Sequence, residues 1–411
     1  MALIRITNRA QKASYPIRDV EIGARVAALK KKGVKTYELN IGDPGAYDGL
    51  YGFAMFKGIK DALVHNIQTN GRFDGYATEQ GERVLLEAVA ADAKKRGIHD
   101  AKPDNVVAGN GLSEIVDYLI GVSVEKGTNM VLPRPDYPLY TARVNWYEGT
   151  PRYYDLDPEN ALQPKVEQIE AAIDGNTFAV VNINPSNPTG AVCTEEKMKA
   201  IIDVVKDKGK GNVAILSDEI YRLLRFEGKH VSMASLTKDV PVITLDGLSK
   251  GYYAPGWRTG HALFSNFPDD KLKNALVKVC GFRLSANKAV QHAYAHGIRH
   301  FSEDDAEARK YLAMLKERAN YTSQRLNAIP GIRCVPPKGA FYAFPQLLKG
   351  PWKTDKEFVI QLLEEEGVRV VHGSGFAMKP EDRFFRVVTL PDLKTQKEAY
   401  DRIERFVKKY G

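Results

Sequence analysis

The middle of the chain repeats one pattern, in which a short apolar run is followed by a polar loop and then by a helical stretch. Strands that are apolar along their whole length and alternate with helices are typical of a parallel sheet covered by helices on both faces. We therefore predict an α/β domain around a mostly parallel sheet. Its pattern-predicted strands are Asn105–Ala108, Asn129–Leu132, Phe178–Asn182, Val213–Ser217, Val242–Leu245 and His261–Phe264.

Amphipathic helices complete this pattern. The spacing of apolar residues predicts a helix over Thr194–Lys208, with Thr194 able to cap its start. After about residue 300 the alternation changes, and a long helix over Glu303–Leu326 is followed by short strands and two further helices. This second pattern is typical of a smaller α+β domain.

Charge and cysteine content restrict the classes of partner and compartment. Lys and Arg outnumber Asp and Glu by 59 to 51, for a net charge of +8. The basic residues form short runs in helical stretches, such as Lys30–Lys32, so we interpret them as solvated helix faces and predict no nucleic-acid partner. No apolar run is long enough to span a membrane. The three cysteines are too scattered for a disulfide framework, and no secretion signal is recognisable at the start, so we predict a cytoplasmic protein.

Polar and glycine-rich segments follow several predicted strands, at the edge of the sheet where ligands collect in parallel α/β folds. Gly109–Ser113 leads into a helix whose first amide groups can bind an anion. In Asn184–Gly190, two X-Pro units keep the chain out of helix geometry and orient Asn187. Ser217–Tyr221 places the Asp218 carboxylate at a strand end. An ordinary turn, or a helix-capping role for the aspartate, is the alternative for each segment.

Two basic residues stand in apolar surroundings. Lys250 follows the strand Val242–Leu245, and Arg258 is close behind it in sequence. Burial and a neighbouring positive charge lower the pKa of an amine and favour its reaction with carbonyl groups. Arg386 lies within the apolar stretch Phe384–Val388, where a guanidinium needs an anionic partner. That partner is either a bound carboxylate or a structural ion pair.

Taken in chain order, these residues resemble the class I/II aminotransferases, which are fold-type I enzymes dependent on pyridoxal 5′-phosphate (PLP). The resemblance extends over nearly the whole chain, and within the family it is strongest to the alanine aminotransferase group. The motifs that carry the family resemblance are Asn187-Pro-Thr-Gly, Asp218-x-x-Tyr221, Ser249-Lys250, Arg258 and Arg386. The segments that resemble the alanine group are Tyr15–Arg18, Leu39–Pro44, Gly109–Glu114, Pro135–Leu139, Phe282–Asn287 and Phe385–Pro391.

The resemblance implies a PLP-dependent transferase fold of type I. A mostly parallel seven-stranded sheet would form a large α/β/α domain, accompanied by a smaller α+β domain. The large PLP-binding domain would comprise residues 49–298 and the small C-terminal domain residues 299–411. The N-terminal segment, residues 1–48, would belong to the small domain.

The resemblance also implies which residues bind the cofactor. Lys250 would hold PLP covalently and later move the Cα proton of the substrate, while Asp218 would keep the pyridine nitrogen protonated. Asn187 and Tyr221 would form hydrogen bonds to the phenolic oxygen of the ring, and Tyr137 would stack on the ring face. The phosphate would be held by Gly111, the Leu112 and Ser113 amides, the Ser249 hydroxyl and Arg258.

Substrate contacts follow from the same resemblance. Arg386 would bind the α-carboxylate through two parallel hydrogen bonds, with help from Gly42 and Asn187. Tyr15 and Arg18 match an N-terminal segment that closes over the substrate. Arg18 would bind the distal carboxylate of glutamate or 2-oxoglutarate, and an interface salt bridge is the alternative role.

Tyr76 resembles the tyrosine that reaches the phosphate of the neighbouring subunit in this family. The resemblance therefore implies a homodimer with active sites at the interface. Ordinary surface packing of Tyr76 is the alternative.

The implied activity is amino-group transfer between an L-amino acid, alanine first, and a 2-oxo acid, 2-oxoglutarate first, by a ping-pong mechanism. Aromatic, branched-chain or aspartate specificity, or a PLP-dependent lyase, stays open. One reason is that the Gly45–Gly52 loop, through Tyr47 or Tyr51, could reshape the side-chain pocket.

Other classes of protein fit the sequence less well. A regulator with a fused DNA-binding module is not expected, because the match begins near residue 15. A nucleotide-binding α/β enzyme is not expected either, because both phosphate-binding fingerprints are missing. His292, His296 and His300 share one helical face, which we interpret as a solvated or packed surface and not as a metal site.

Overall fold

The computed structural model describes residues 6–13, 15–47, 52–69 and 73–411. The helices of these ranges are α1 Asn8–Lys12, α2 Val20–Lys31, α3 Lys57–Gln68, α4 Arg83–Lys95, α5 Leu112–Gly121, α6 Pro138–Trp146, α7 Val166–Ala172, α8 Glu195–Gly209, α9 Lys271–Cys280, α10 Lys288–His300, α11 Ala306–Asn327, α12 Asp355–Glu366 and α13 Leu393–Tyr410. The strands are β1 Tyr37–Glu38, β2 Val106–Gly109, β3 Asn129–Arg134, β4 Thr150–Asp157, β5 Gln163–Pro164, β6 Thr177–Ile183, β7 Ala214–Asp218, β8 Val242–Gly247, β9 Gly260–Ser265, β10 Ile332–Arg333, β11 Tyr342–Ala343, β12 Gln346–Leu347, β13 Val368–Arg369, β14 Val371–His372 and β15 Phe385–Val388.

The large sheet has the strand order β2-β9-β8-β7-β6-β3-β4-β5. Strands β4, β3, β6, β7 and β8 are parallel, whereas β9 runs antiparallel to both of its neighbours. The predicted mostly parallel α/β fold is therefore confirmed. Beside the seven expected strands, the two-residue β5 adds an eighth, antiparallel to β4 at the sheet edge. The hydrophobic pattern did not predict β4, because its residues are mostly only half-buried.

The register of the central strands explains why the predicted site segments meet. Asp218, the last residue of β7, pairs with Ile183 at the end of β6 and with Leu245 near the end of β8. Because the three strands are parallel, the loops that follow them leave the sheet at the same edge. These loops carry Asn187 and Lys250.

The predicted helices form close to their expected bounds. Helix α8 begins at Glu195, and the Thr194 side chain accepts a hydrogen bond from the Lys197 amide, as the capping prediction requires. Helix α11 begins at Ala306, three residues later than predicted, since Ser302–Asp305 forms a hydrogen-bonded turn ahead of it.

Two large hydrophobic cores organise the chain. The first surrounds the large sheet and includes Leu216 at its centre. The second joins Ile22 and Leu39 of the N-terminal segment to Phe358 and Phe406 of the C-terminal part. Strand β1 also pairs in parallel with β13, so the N-terminal segment and the C-terminal part share both a core and a sheet. The exact division at residues 48 and 298 stays a prediction.

The helices of the described ranges differ in length and hydrophobicity from membrane-spanning helices. None of the helices there is both long enough and apolar enough to cross a bilayer.

Candidate functional site

A cavity of about 590 Å³ lies at the carboxyl ends of β6, β7 and β8. Loops from the large sheet form one side, and residues of the N-terminal segment, β11 and β15 form the other. Most of the residues predicted from the sequence line it: Tyr15, Arg18, Gly42, Leu112, Ser113, Tyr137, Asn187, Asp218, Tyr221, Ser249, Lys250, Arg258 and Arg386. The motifs, and the resemblance that they carry, thus pointed to side chains that the fold brings together.

Lys250 provides the amine of the cavity. Its Nζ donates a hydrogen bond to the Gly42 carbonyl at 2.7 Å. Burial lowers the pKa of Lys250 to about 8; the Asp43 carboxylate opposes this shift, while Arg386 and Arg258 add to it. A pKa in this range leaves a usable fraction of neutral, nucleophilic amine near neutral pH.

Asp218 provides a carboxylate that is 4% exposed. Its two oxygens accept hydrogen bonds from the Tyr140 hydroxyl, at 2.8 Å, and from the Ile220 amide, at 3.2 Å. Neither donor is charged, and burial raises the pKa of Asp218 to about 6. The carboxylate is therefore held in a place where a cationic N–H group would be strongly favoured.

Arg386 provides a guanidinium that is 1% exposed. Its Nη1 donates to Asn187 Oδ1 at 3.0 Å and its Nη2 to the Asn40 carbonyl at 2.5 Å. Its buried Nε makes no hydrogen bond to the described residues. Both acceptors are uncharged, and burial lowers the pKa of Arg386. A buried guanidinium of this kind is suited to a carboxylate ligand.

Two phenols lie between these charged groups. The hydroxyls of Tyr221 and Tyr342 are 2.9 Å apart, and both side chains are almost completely buried. Burial raises the pKa of Tyr221 well above its usual value, so it is a neutral hydrogen-bond donor at physiological pH.

The start of helix α5 and the nearby Arg258 form a cradle suited to an anion. Gly111 precedes the helix with φ of 86°, a conformation that favours glycine, and a Cβ there would lie 2.2 Å from Nη2 of Arg258, so a side chain would displace the guanidinium. The first amides of α5, at Leu112 and Ser113, lie on the same cavity wall, and Ser249 adds a hydroxyl. Helix N-termini with a neighbouring arginine are typical phosphate-binding sites.

The N-terminal segment closes the cavity on one side. The hydroxyls of Tyr15 and Tyr137 are 3.0 Å apart, which joins this segment to the start of α6. Arg18 lines the cavity but is otherwise exposed. Gly42 leaves room for Tyr342, since a Cβ at this glycine would lie 2.0 Å from the tyrosine hydroxyl oxygen.

Some predicted residues lie apart from the cavity or outside the described residues. Tyr76 is 75% exposed and does not line the cavity. In the Gly45–Gly52 loop, Tyr51 and the Tyr47 side chain fall outside the described residues, so the expectation about the side-chain pocket stays open there.

The predicted histidine face lies on α10. His292 Nε2 is 3.0 Å from Glu82 Oε2. The rings of His296 and His300 lie with their centroids 4.5 Å apart and their planes tilted by 40°. Over the described ranges, no group of three or more His, Cys, Asp or Glu side chains is arranged to hold a metal ion.

Several cavity contacts were missed by the sequence reasoning. Tyr140, the hydrogen-bond donor to Asp218, lies three residues after Tyr137 at the start of α6, and that spacing could have indicated it. Tyr342 and Phe376 contact Arg386 through their rings, and the Asn40 backbone accepts its hydrogen bond. Asn40 lies within the Leu39–Pro44 segment singled out from the sequence, but no local pattern marks Tyr342 or Phe376 as a contact of Arg386.

Comparisons with known proteins agree with this geometry. The family model "Aminotransferase class I and II" matches residues 39–403. Glutamate-pyruvate aminotransferase AlaA from Haemophilus influenzae is 31% identical, over the full length of both chains. An alanine aminotransferase from Mycobacterium tuberculosis is 32% identical over 98% of this chain and 92% of that protein.

A solved structure shows the same fold. The alanine aminotransferase from Pyrococcus furiosus superposes with a TM-score of 0.92 at 37% identity. The match covers 98% of this chain and 100% of that structure.

Proposed function

The chain belongs to the class I and II aminotransferase family, and from that premise we propose that it transfers amino groups between L-alanine and 2-oxoglutarate with PLP as its cofactor. The family predicted from the sequence is confirmed. Relatives named for glutamate–pyruvate and alanine transfer, similar over essentially the whole chain, support the alanine assignment.

The observation that carries this proposal is the content of one cavity. It holds the Lys250 amine, whose pKa is lowered, together with the Asp218 carboxylate and the Arg386 guanidinium. Among the described residues, the hydrogen-bond partners of these two charged groups are all uncharged. PLP-dependent amino transfer requires three such groups. They are an amine that reacts with carbonyl groups, a carboxylate that pairs with the protonated ring nitrogen and a guanidinium that binds the substrate carboxylate.

The residues present fit the cofactor. A protonated pyridine nitrogen would give the Asp218 carboxylate the positive partner that its uncharged donors do not provide. The cradle formed by α5, Ser249 and Arg258 suits the phosphate, and Gly111 keeps it open. Tyr137 on the cavity wall would supply a ring for stacking.

Each side chain then has a distinct task. PLP, when bound, supplies an electron sink for negative charge at the substrate Cα. Lys250 would hold the cofactor and afterwards move the Cα proton, which its lowered pKa permits. Arg386 would hold the α-carboxylate and so fix which Cα bond faces Lys250. Asn187 and Tyr221 would donate hydrogen bonds to the phenolic oxygen of the cofactor.

Arg18 would distinguish the two substrates. It lies in the 3₁₀ turn Pro16–Arg18 and reaches the cavity from the side opposite the large sheet. A cation at this position would bind the distal carboxylate of glutamate or 2-oxoglutarate, whereas alanine and pyruvate have none.

We further propose that the protein is a homodimer whose active sites include Tyr76 of the other subunit. Tyr76 is exposed although it is a large aromatic residue, and Phe282, Leu284 and Ile67 are also more than half exposed. Exposed apolar side chains of this size support an interface between copies of the chain.

The first experiment is a visible spectrum of the purified protein with PLP, before and after adding alanine and then, separately, glutamate. We expect the band of the bound cofactor to convert to the amino form with both donors, since a ping-pong reaction includes both half-reactions. Lys250→Ala should lack the band while remaining folded.

The outcomes separate the parts of the proposal. Conversion with glutamate alone, or with aspartate or aromatic donors in place of alanine, would replace the alanine assignment. Normal turnover by Lys250→Ala would overturn the role of this lysine.

A subunit-mixing experiment tests Tyr76. Lys250→Ala and Tyr76→Ala proteins are each assayed alone and then after being unfolded and refolded together. If Tyr76 acts across the interface, the mixed dimer contains one intact site and recovers activity that neither variant has. No recovery in verified mixed dimers would show that Tyr76 acts within its own subunit or not at all.

A further inference from the structure

Tyr342 contacts two parts of the cavity, although it has no role in the function proposed above. One part is the carboxylate-binding half, which contains Arg386, and the other is the cofactor half, which contains Tyr221. Tyr342 lies on β11, where it pairs with Val388 of β15, two residues beyond Arg386 on the same strand. The side chain is 2% exposed. Its position is therefore fixed by the sheet and by packing.

One contact of Tyr342 is with the carboxylate-binding half. The Cζ atom of Arg386 lies 4.7 Å from the centroid of the Tyr342 ring, within cation–π distance. Phe376 contacts the same guanidinium at 4.8 Å. The two rings hold the guanidinium plane in place, while its hydrogen bonds to Asn187 and Asn40 fix its rotation.

The other contact is with the cofactor half. The Tyr342 hydroxyl is 2.9 Å from that of Tyr221, and either oxygen can be the donor of this bond. A hydroxyl has one proton to donate. If Tyr221 donates its proton to the cofactor, Tyr342 must be the donor between the two phenols. Burial raises the pKa of Tyr342, so this proton is retained at neutral pH.

We propose that Tyr342 is a positioning residue that links the Arg386 guanidinium to the hydrogen bond between Tyr221 and the cofactor. The positive charge beside its ring strengthens the Tyr342 hydroxyl as a donor, and donation to Tyr221 in turn strengthens Tyr221 as a donor. A carboxylate bound to Arg386 offsets that charge and weakens the chain of donors. Substrate binding is thereby signalled to the cofactor. This inference rests on the proposed function.

The gap at Gly42 supports the arrangement. A Cβ at this position would lie 2.0 Å from the Tyr342 hydroxyl oxygen and 2.6 Å from its ring carbon Cζ, so any other residue would displace the phenol. The Gly42 carbonyl also accepts the hydrogen bond from Lys250. One glycine thus admits the Tyr342 hydroxyl and contacts the cofactor-binding amine.

The test uses Tyr342→Phe, which keeps the ring beside Arg386 and removes only the hydroxyl. The measurement is the pH midpoint of the visible band in the PLP-loaded protein, with and without saturating propionate, an unreactive carboxylate. Loss of one donor should raise the midpoint by about 0.5 to 1 pH unit, because the deprotonated chromophore loses stabilisation. The additional shift caused by propionate should become smaller, and the propionate Kd should change less than about twofold, since the ring contact is kept.

Two controls separate linkage from simple damage. Tyr342→Leu removes the ring as well and should weaken propionate binding about thirtyfold, the size of a desolvated cation–π contact. Tyr400→Phe removes another buried phenol hydroxyl, one that bonds to Thr322 at 2.8 Å outside the cavity. It should leave both the midpoint and its shift unchanged.

The inference is overturned if Tyr342→Phe shows the wild-type midpoint and the wild-type propionate shift. The same holds if Tyr400→Phe shows an equal change, since the effect would then be general destabilisation. Failure of the proposed function looks different, because the wild-type protein would then give no cofactor band at all.

Discussion

Replacing Asp218 by asparagine should stabilise the ligand-free protein while impairing the loaded enzyme. The wild-type carboxylate is 4% exposed, and its two hydrogen-bond donors are uncharged. Its pKa is raised from 3.8 to about 6 by burial. An acid whose pKa is raised by folding destabilises the folded state once it ionises, so this cost is absent at low pH and complete above about pH 6.

The size of the effect follows from the shift. A change of about two pKa units corresponds to about 3 kcal/mol of destabilisation at neutral pH. Between pH 5 and pH 7.5 the cost grows by about 1 kcal/mol, because Asp218 is still mostly protonated in the folded protein at the lower value. The asparagine has no charge to bury, so its advantage over the wild type should grow by that amount.

The assay is urea unfolding of ligand-free wild type and Asp218→Asn at both pH values and one protein concentration. Asp174→Asn is the matched control, because Asp174 has a pKa lowered to about 2 by hydrogen bonds from the Asn176 amide and Asn129. Its removal should cost the same at both pH values, because the stability contributed by a lowered carboxyl pKa is already complete above the unfolded value of 3.8. In the PLP-loaded state, Asp218→Asn should lower kcat about 100-fold or more, as expected for loss of a preorganised charge.

The reasoning fails if the stability difference between Asp218→Asn and wild type is the same at both pH values. It fails equally if Asp174→Asn shows the same pH-dependent change as Asp218→Asn.

Three further predictions concern the other charged groups of the cavity. Arg386→Lys keeps the charge but loses the planar guanidinium that makes two parallel hydrogen bonds to a carboxylate, so KM should rise about tenfold or more for every amino donor and oxo acceptor. An effect on one substrate only would contradict the assigned role. Arg18→Leu should raise KM for glutamate and 2-oxoglutarate but change it less than about twofold for alanine and pyruvate, and equal effects on all four would contradict a contact with the distal carboxylate. The rate at which ligand-free protein captures PLP should rise with pH and level off above a midpoint near 8, because only the neutral Lys250 amine attacks the carbonyl. A rate constant that keeps rising about tenfold per pH unit beyond pH 9 would argue against the lowered pKa.

Much of the architecture could be predicted from the sequence because it depends on local patterns. Fully apolar runs marked the buried strands β2, β3 and β6 to β9, and apolar spacing with Thr194 marked the start of α8. The half-buried β4 and the two-residue β5 have no comparable pattern, and they were missed. Motifs after the strands were also readable, since parallel strands deliver their following loops to one edge.

The side-chain contacts and pKa shifts that make the cavity reactive depend on the tertiary structure. Asp218 and Tyr140 are 78 residues apart in sequence, Tyr221 and Tyr342 are 121 apart, and Asn187 and Arg386 are 199 apart. Which of these side chains meet depends on how strands and loops pack, and their pKa shifts depend on burial that no short segment determines. The sequence by itself therefore determined the elements, the family and the candidate residues. The charge states and partners of Asp218, Lys250 and Arg386 were decided only by folding, which removes these three side chains from water in one cavity. The reason is that desolvation and side-chain contact are properties of packing.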